Sequence, residues 1–161
     1  MALEFLDVGQ PDDVLPAGIH ELSTEEVKEL LVDPFEDSGT RLDIFTLWMA
    51  FRARLENLLP IEQEFIDGSF VTSRTDPADI DASYWFDADE YAGLPPLRRS
   101  AVDQLFQRAK PQFKVHAFPV PRCPDAHPAW PHFEHTRKWT RRYWKAYSDP
   151  SKVVVPALDK P

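Results

Sequence analysis

The sequence predicts a single α+β domain, in which helices pack against a small mixed β-sheet. Three observations support this prediction. The chain has 161 residues, the usual size of one domain. It is 43% hydrophobic and contains eleven phenylalanines, which is enough apolar material for a buried core. Segments with helical spacing and segments with strand character also alternate along the chain, without internal repeats or a Gly/Ser linker.

Two helices are predicted in the first third of the chain, after an irregular arm over residues 1–20. Ser23 and Glu26 form a capping-box pattern, which predicts a short helix that reaches about Val32. A longer helix is predicted over 40–59. Its buried face is predicted from apolar and long side chains at three- and four-residue steps, namely Leu42, Phe45, Trp48, Met49, Arg52 and Leu55.

The remaining elements are predicted as three strands and two helices. The strands lie at 61–67, 79–86 and 113–118, and the helices at 96–109 and 132–147. The helix at 96–109 should begin at a Pro-Pro pair and stop before Pro111. Its buried side is predicted to consist of Leu97, Val102, Leu105 and Phe106. Five prolines predict an extended loop at 119–131, and a short extended tail is predicted at 153–155.

Charge is distributed unevenly along the chain, which carries a formal net charge of -9. Residues 1–40 contain eleven acidic residues and one lysine, whereas residues 98–145 contain eleven Lys and Arg against three acids. The two regions can attract each other across the fold, or the basic one can bind an anionic partner. The overall acidity argues against sequence-independent binding to duplex DNA.

No targeting or membrane-spanning segment is predicted. The longest strongly apolar run, Phe45 to Phe51, is too short to cross a bilayer. The N-terminal MALEFLDVGQ lacks the basic start and apolar stretch of a secretory signal. The single cysteine, Cys123, cannot form an internal disulfide. We therefore expect a cytoplasmic protein without a membrane partner, and the sequence leaves its oligomeric state open.

A glycine turn followed by two aspartates is the pattern that points most directly to chemistry. Residues 66–81 read IDGSFVTSRTDPADID, with Gly68-Ser69 after one predicted strand and Asp79 and Asp81 at the start of the next. Side chains two apart on a strand share a face, so these carboxylates repel unless a cation lies beside them. Mg²⁺ bridges carboxylates to phosphate oxygens, and glycine lets a phosphate approach the backbone. The pattern predicts nucleotidyl or phosphoryl transfer.

These residues resemble the signature of the polymerase-β-like nucleotidyltransferase superfamily: a hydrophobic residue, Gly-Ser and, about ten residues later, Asp-x-Asp on a strand. Over most of its length the chain also resembles a family of uncharacterised bacterial and phage nucleotidyltransferase-like proteins, through segments 15–22, 66–81 and 141–147. The resemblance implies Mg²⁺ or Mn²⁺ and a nucleoside triphosphate, with ATP as the expected one. It also implies site roles: the triphosphate on Gly68 and Ser69, and the metal on Asp79 and Asp81.

The chain departs from the superfamily pattern in two places. A third carboxylate usually comes from a later strand, and the matching position here is His116, which prefers softer ions than Mg²⁺. A neutral imidazole can still act as the base for the attacking hydroxyl. The arginine that often follows Gly-Ser is also displaced, so the nucleotide site is predicted to include Thr72, Ser73 and Arg74.

Each of these patterns also has a structural explanation. Gly68-Ser69 could be an ordinary turn before a solvated strand, and His116 could be a hydrogen-bonded structural histidine. The Asp76-Pro77 pair predicts a turn and not a ligand. A zinc site is a weaker alternative, because prolines interrupt its candidate ligands and their spacing matches no strong pattern: Cys123, His127, His132 and His135.

The predicted last helix combines aromatic residues with a basic side that includes Arg137, Arg141, Arg142 and Lys145. One interpretation is an exposed basic face whose aromatic residues pack on the sheet. The other is a phosphate-recognising surface for the nucleotide or for an RNA partner. The two interpretations are compatible.

Two classes of function follow from the sequence. The first is a Mg²⁺-dependent nucleotidyltransferase that acts on a hydroxyl of RNA, of protein or of a small molecule. The second is a catalytically degenerate nucleotidyltransferase fold that binds a partner in a toxin–antitoxin or phage-defence module. The intact Gly68-Ser69 and Asp79/Asp81 pairs favour the enzyme, whereas His116 favours the binding module.

Overall fold

The computed structural model describes residues 3–124, 126–128, 130–131 and 134, together with the backbone of residues 151–155. Along these residues the elements are β1 (Gly18–Glu21), α1 (Thr24–Leu31), α2 (Arg41–Leu58), β2 (Gln63–Asp67), a 3₁₀ turn (Gly68–Val71), β3 (Ile80–Asp87), α3 (Ala88–Ala92), α4 (Pro96–Phe113), β4 (Val115–Arg122) and β5 (Ser151–Val155).

The strands form one mixed sheet in the order β1-β5-β2-β3-β4, which confirms the predicted α+β class. β2 and β3 are antiparallel, and the 3₁₀ turn begins their connection. β3 and β4 are parallel, and α3 and α4 lie between them in the chain. β5 is parallel to β1 and antiparallel to β2. The segment predicted as an extended tail is therefore an interior strand of the sheet.

The capping box predicted at the start of α1 is present. The Ser23 hydroxyl accepts a hydrogen bond from the Glu26 backbone N–H at 3.2 Å, and the Glu26 carboxylate accepts from the Ser23 N–H at 2.7 Å. These reciprocal bonds satisfy two N–H groups that have no partner inside the helix. They also lower the pKa of Glu26. The sequence pattern therefore predicts the start of this helix correctly.

The core lies between the helices and one face of the sheet. Strict alternation along β3 buries Ile80, Ala82, Tyr84 and Phe86 on this face. Aromatic rings from the helices pack against them, and the Phe51 and Tyr84 ring centroids are 5.3 Å apart. The alternation turns the intervening side chains of β3 to the opposite face, where the candidate site lies.

Two predicted core positions are wrong. Leu42 is 59% exposed and Leu97 is 88% exposed. Each residue advances a helix by 100°, so Leu42 lies about 140° around α2 from Leu55, which is near the centre of the buried stripe. Leu97 lies about 140° around α4 from the buried Val102. Both leucines therefore project away from the face that meets the sheet.

The predictions based on proline are wrong in two places. α4 continues through Pro111 to Phe113 and ends at Lys114, whose φ is 53°. β4 extends through Pro119 and Pro121, so the predicted loop at 119–131 begins later. β4 is the last strand in the sheet order, and an edge strand tolerates residues that lack an N–H because one side needs no ladder bonds.

Two short elements were not predicted. β1 occupies the end of the predicted irregular arm, and α3 follows β3 directly. The predicted helix at 132–147 lies outside the described residues, apart from Glu134. No helix in the described part of the chain is long and apolar enough to cross a membrane.

Candidate functional site

The candidate site lies on the sheet face opposite the helices, where three strands bring ionisable side chains side by side. Asp67 at the end of β2 pairs with Asp81 on β3, and Asp81 pairs with His116 on β4. Directly paired residues project from the same face of a sheet. Asp79 immediately precedes β3, and its charge acts on Asp81. The topology thus gathers residues that are up to 49 positions apart, next to the Gly-Ser turn.

The Gly68 backbone lies in close contact with the Asp81 carboxylate. Its φ is +78°, which side-chain-bearing residues rarely adopt, and its N–H donates to the Asp67 carboxylate at 2.8 Å. A Cβ at position 68 would lie 2.0 Å from Asp81 Oδ2, which is well inside contact distance. Only glycine fits beside this carboxylate. Ser69 follows in the 3₁₀ turn, and its carbonyl accepts a hydrogen bond from the Thr72 hydroxyl at 2.8 Å.

Asp81 and His116 form the central pair of the site. His116 Nδ1 lies 2.9 Å from Asp81 Oδ1. Burial raises the pKa of Asp81; the hydrogen bond and charge of His116 oppose this, and the charges of Asp79 and Asp67 reinforce it. The geometry thus places a carboxylate that is costly to ionise beside other carboxylates. The Phe118 ring supports the imidazole, with centroids 4.3 Å apart.

Asp79 has a different partner, Lys110, which sequence reasoning missed. The Lys110 ammonium lies 2.9 Å from Asp79 Oδ2, and this hydrogen bond raises the pKa of Lys110. Lys110 lies in the last turn of α4, 31 residues after Asp79. Only the parallel return of the chain into β4 brings the two together, so no local pattern could have identified this lysine.

The three residues predicted to complete the nucleotide site lie beside the N-terminal arm. The Ser73 hydroxyl accepts from the Asp13 N–H at 2.7 Å, and the Ser73 N–H donates to the Asp13 carbonyl at 2.8 Å. Arg74 forms an ion pair with Asp12 at 2.8 Å. Thr72 forms an isolated bridge with Val14 in the same arm. Their role in nucleotide binding stays a prediction.

A second residue that sequence reasoning missed is Arg41, at the start of α2. Its side chain is buried and donates hydrogen bonds to carbonyls of the loop that follows the Gly-Ser turn. From the sequence alone, a charged residue at the start of a helix is expected to be solvent-exposed, and Arg41 was therefore not predicted to be part of the site. The Asp76 carboxylate accepts hydrogen bonds from the Ser38 hydroxyl and the Gly39 N–H.

The other sequence-predicted sites are covered only in part. The basic residues Arg137, Arg141, Arg142 and Lys145 lie outside the described residues, as do His132 and His135. His127 contacts Asp89 at 2.7 Å. Within the described ranges, no three His, Cys, Asp or Glu side chains are arranged to hold a metal ion by themselves.

Taken together, fold and site define an α+β protein with a carboxylate-rich face beside a Gly-Ser turn. Residues 8–149 match the model of a family of unknown function, DUF6932, and the chain belongs to that family. No curated protein and no solved structure matches the chain. A function for this family member has to be argued from the geometry of its own site.

Proposed function

We propose that the chain binds a nucleoside triphosphate, with ATP as the expected one, together with Mg²⁺ or Mn²⁺. It would then transfer the nucleotidyl group to a hydroxyl acceptor. The observation that carries this proposal is the contact between the Gly68 turn and Asp81, with Asp79 close enough for its charge to act on Asp81. A turn without a side chain next to paired carboxylates allows a phosphate and a cation to approach the same point.

The donor set fits Mg²⁺ or Mn²⁺ bound together with substrate. Mg²⁺ commonly uses one or two carboxylates and takes its remaining ligands from phosphate oxygens and water. Asp79 and Asp81 would supply the carboxylates. Bound there, the cation would supply positive charge for the triphosphate and relieve the repulsion among Asp67, Asp79 and Asp81.

The chain's own residues would position the substrate and move one proton. Gly68 and Ser69 would hold the phosphates. The acceptor oxygen would form a bond to the α-phosphorus while the bond to the bridging oxygen breaks and pyrophosphate leaves. The hydroxyl proton would pass to His116. Asp81 holds Nδ1 of this ring, and when Nδ1 carries the hydrogen, Nε2 carries the lone pair that accepts a proton.

A specific observation favours the second candidate function, a degenerate fold that binds a partner in a toxin–antitoxin or phage-defence module. Each aspartate already faces a basic side chain of the chain itself: Asp79 faces Lys110 and Asp81 faces His116. In a binding module these contacts would replace the metal permanently. In an enzyme the Asp79–Lys110 contact would give way when the cation and the nucleotide bind, and Asp81 would keep its contact with His116.

Calorimetric titration of ATP with and without Mg²⁺ tests the proposal. For the wild type we expect Mg²⁺ to strengthen ATP binding by about tenfold or more, a difference of about 1.4 kcal/mol. The Asp79→Asn, Asp81→Asn double variant should lose this dependence and keep its stability, because amides preserve shape and remove like charges.

A matched control removes two carboxylates elsewhere. Asp33 and Asp43 each pair with a surface lysine, Lys28 and Lys114, and lie outside the site. The Asp33→Asn, Asp43→Asn variant should bind ATP with the Mg²⁺ dependence of the wild type. Equal ATP affinity with and without Mg²⁺ in the wild type, or no difference between the two double variants, would overturn the proposed function.

A further inference from the structure

We propose that Arg41 is a positioning residue for the candidate site: it holds the loop after Gly68-Ser69 in the shape that nucleotide binding requires. This inference rests on the proposed function. The Arg41 side chain is 1% exposed, although it stands at the first position of α2. A buried arginine at a helix start needs a structural explanation, because burying its charge is costly.

The hydrogen bonds of Arg41 supply that explanation. A guanidinium has five N–H donors, and all five are used here on backbone carbonyls. Nε and Nη2 donate to the Arg74 carbonyl at 3.0 and 2.6 Å, and Nη2 also donates to Thr72 at 2.6 Å. Nη1 donates to Phe70 at 2.9 Å and to Leu31 at 2.6 Å.

Arg41 makes no close ion pair in the described part of the chain. Burial lowers its pKa to about 10, and the more distant charges of Asp76 and Asp12 oppose this shift. The side chain therefore remains charged near neutral pH. Its charge is compensated by carbonyl dipoles and by the Phe35 ring, whose centroid lies 3.7 Å from the guanidinium carbon.

The carbonyls that accept from Arg41 show that it fixes the backbone path of the loop after Ser69. The carbonyls of residues 70, 72 and 74 all point at one cation, so the loop that leaves Ser69 can adopt only one path past it. In a planar trans peptide the C=O and the N–H point in opposite directions. The Thr72 carbonyl faces Arg41, and the N–H of the same peptide, on Ser73, therefore points away from Arg41 and donates to the Asp13 carbonyl. The bond to Leu31 ties this loop to the end of α1.

Lysine cannot replace this arrangement. Its ammonium has three donors at one point, whereas the planar guanidinium spreads five donors over four carbonyls. Arg41→Lys keeps the charge and would leave buried carbonyls of the loop without partners. The loop should then open locally while the rest of the fold persists, since most of the core cluster lies on β3 and the helices.

Arg52 provides a matched control on the same helix. It is also 1% exposed, but its ion-pair partner is the Glu64 carboxylate in the core. Arg52→Lys therefore tests the loss of a buried guanidinium without touching residues 68–74. A general effect of buried arginines would appear in both variants, and an effect of positioning only in Arg41→Lys.

The experiment combines amide hydrogen exchange with ATP titration in the presence of Mg²⁺. The Thr72 and Ser73 amides report on the loop, since they bond to the Ser69 and Asp13 carbonyls, and the Val27 amide in α1 serves as reference. In Arg41→Lys we expect exchange of the loop amides to accelerate about tenfold or more and ATP affinity to fall by about tenfold. In Arg52→Lys both should stay within about twofold of the wild type.

Two results would overturn the inference: unchanged exchange of the loop amides in Arg41→Lys, or accelerated exchange with unchanged ATP affinity. If the wild type binds no nucleotide, the proposed function fails, and the exchange measurement still decides whether Arg41 holds the loop. If Arg41→Lys does not fold, Phe35→Leu removes the ring beside the guanidinium and keeps its hydrogen bonds. That variant should accelerate exchange of the same two amides by a smaller factor, and unchanged exchange would count against the inference.

Discussion

The two faces of the β2–β3 pair each carry carboxylates, and their surroundings differ. On the core face, Glu64 is 2% exposed, forms an ion pair with Arg52 and accepts a hydrogen bond from Trp48 Nε1 at 2.7 Å. On the outer face, Asp79 contacts Lys110 and Asp81 contacts His116. The core side therefore holds a carboxylate that is buried with its partner, and the outer side holds two carboxylates that solvent can reach.

The acids and their basic partners are both more exposed on the outer side than in the core. The side chains of Arg52 and Glu64 are fully enclosed, so neither can exchange its partner while the protein stays folded. The Lys110 side chain is 60% exposed and that of His116 is 43% exposed, so solvent or a cation can take their place. The core pair should therefore govern stability, and the outer pair should govern binding.

Removing Arg52 should give the largest effect on stability. Arg52→Met leaves the Glu64 carboxylate buried without its cation, which should cost about 3–5 kcal/mol in the free energy of unfolding. Urea denaturation measures this loss. Lys110→Met, which breaks the exposed outer pair, should cost no more than about 1 kcal/mol. Similar costs for the two variants would contradict the division between a structural and a binding face.

Replacing His116 separates the two candidate functions. In an enzyme, His116→Ala should lower the rate of nucleotidyl transfer about 100-fold, the usual scale for a lost acid–base group. In a degenerate binder it should change little, whereas His116→Asp should strengthen Mg²⁺ binding by adding a hard oxygen ligand. His127→Ala is the control, since His127 also contacts an aspartate, Asp89, through its Nε2 and outside the site. An equal effect of His116→Ala and His127→Ala would leave His116 with a structural role only.

Adding a methyl group at Gly68 tests the close contact with Asp81. Gly68→Ala should cost about 1–3 kcal/mol for the positive φ and should in addition displace the carboxylate. Gly9 is the matched control, because its φ of +70° is similar and nothing lies within 4 Å of the added Cβ. Gly68→Ala should therefore weaken Mg²⁺-dependent ATP binding in calorimetry, and Gly9→Ala should not. Loss of binding in both would trace the effect to backbone strain alone.

The smallest expected effect is on the pH dependence of stability. The raised pKa of Asp81 means that the folded state holds this proton more tightly than the unfolded chain does. Its contribution to stability is fully present below the unfolded pKa of about 3.9 and is lost as pH rises through the folded value. Asp81→Asn should remove this fall and be neutral or stabilising at pH 7. Urea denaturation across that pH interval checks it, and a destabilised variant at pH 7 would contradict it.

The parts of the fold that depend on local pattern could be predicted from the sequence. The capping box at Ser23, the alternation of β3 and the Gly-Ser turn each depend on residues within a few positions of one another. β1 and the place of β5 inside the sheet could not be predicted, because the two strands are short and pair with each other across more than 100 residues. The end of β4 was predicted as a loop because of Pro119 and Pro121. Only the sheet order shows that this strand lies at an edge, where proline is tolerated.

The candidate site could be predicted only as far as its linear motif. Asp79, Asp81 and the Gly-Ser turn follow from spacing. His116 was expected from the resemblance, which implies a third site residue on a later strand, and the register pairs His116 with Asp81. Lys110 and Arg41 could not be found in this way. Their partners are set by tertiary contacts, and a charged helix residue carries no local sign that it is directed at a carboxylate or at loop carbonyls.

Nuclear magnetic resonance with Mn²⁺ and ATP tests most directly whether the outer carboxylates bind a cation. Mn²⁺ is paramagnetic and broadens signals of nearby nuclei. If it binds between Asp79 and Asp81 with the nucleotide, the Gly68 amide and the His116 ring signals should broaden strongly. The His127 ring, whose partner Asp89 lies just past the far end of β3, should broaden much less. Equal broadening of both rings, or none at His116, would contradict the proposal that this face is a metal–nucleotide site.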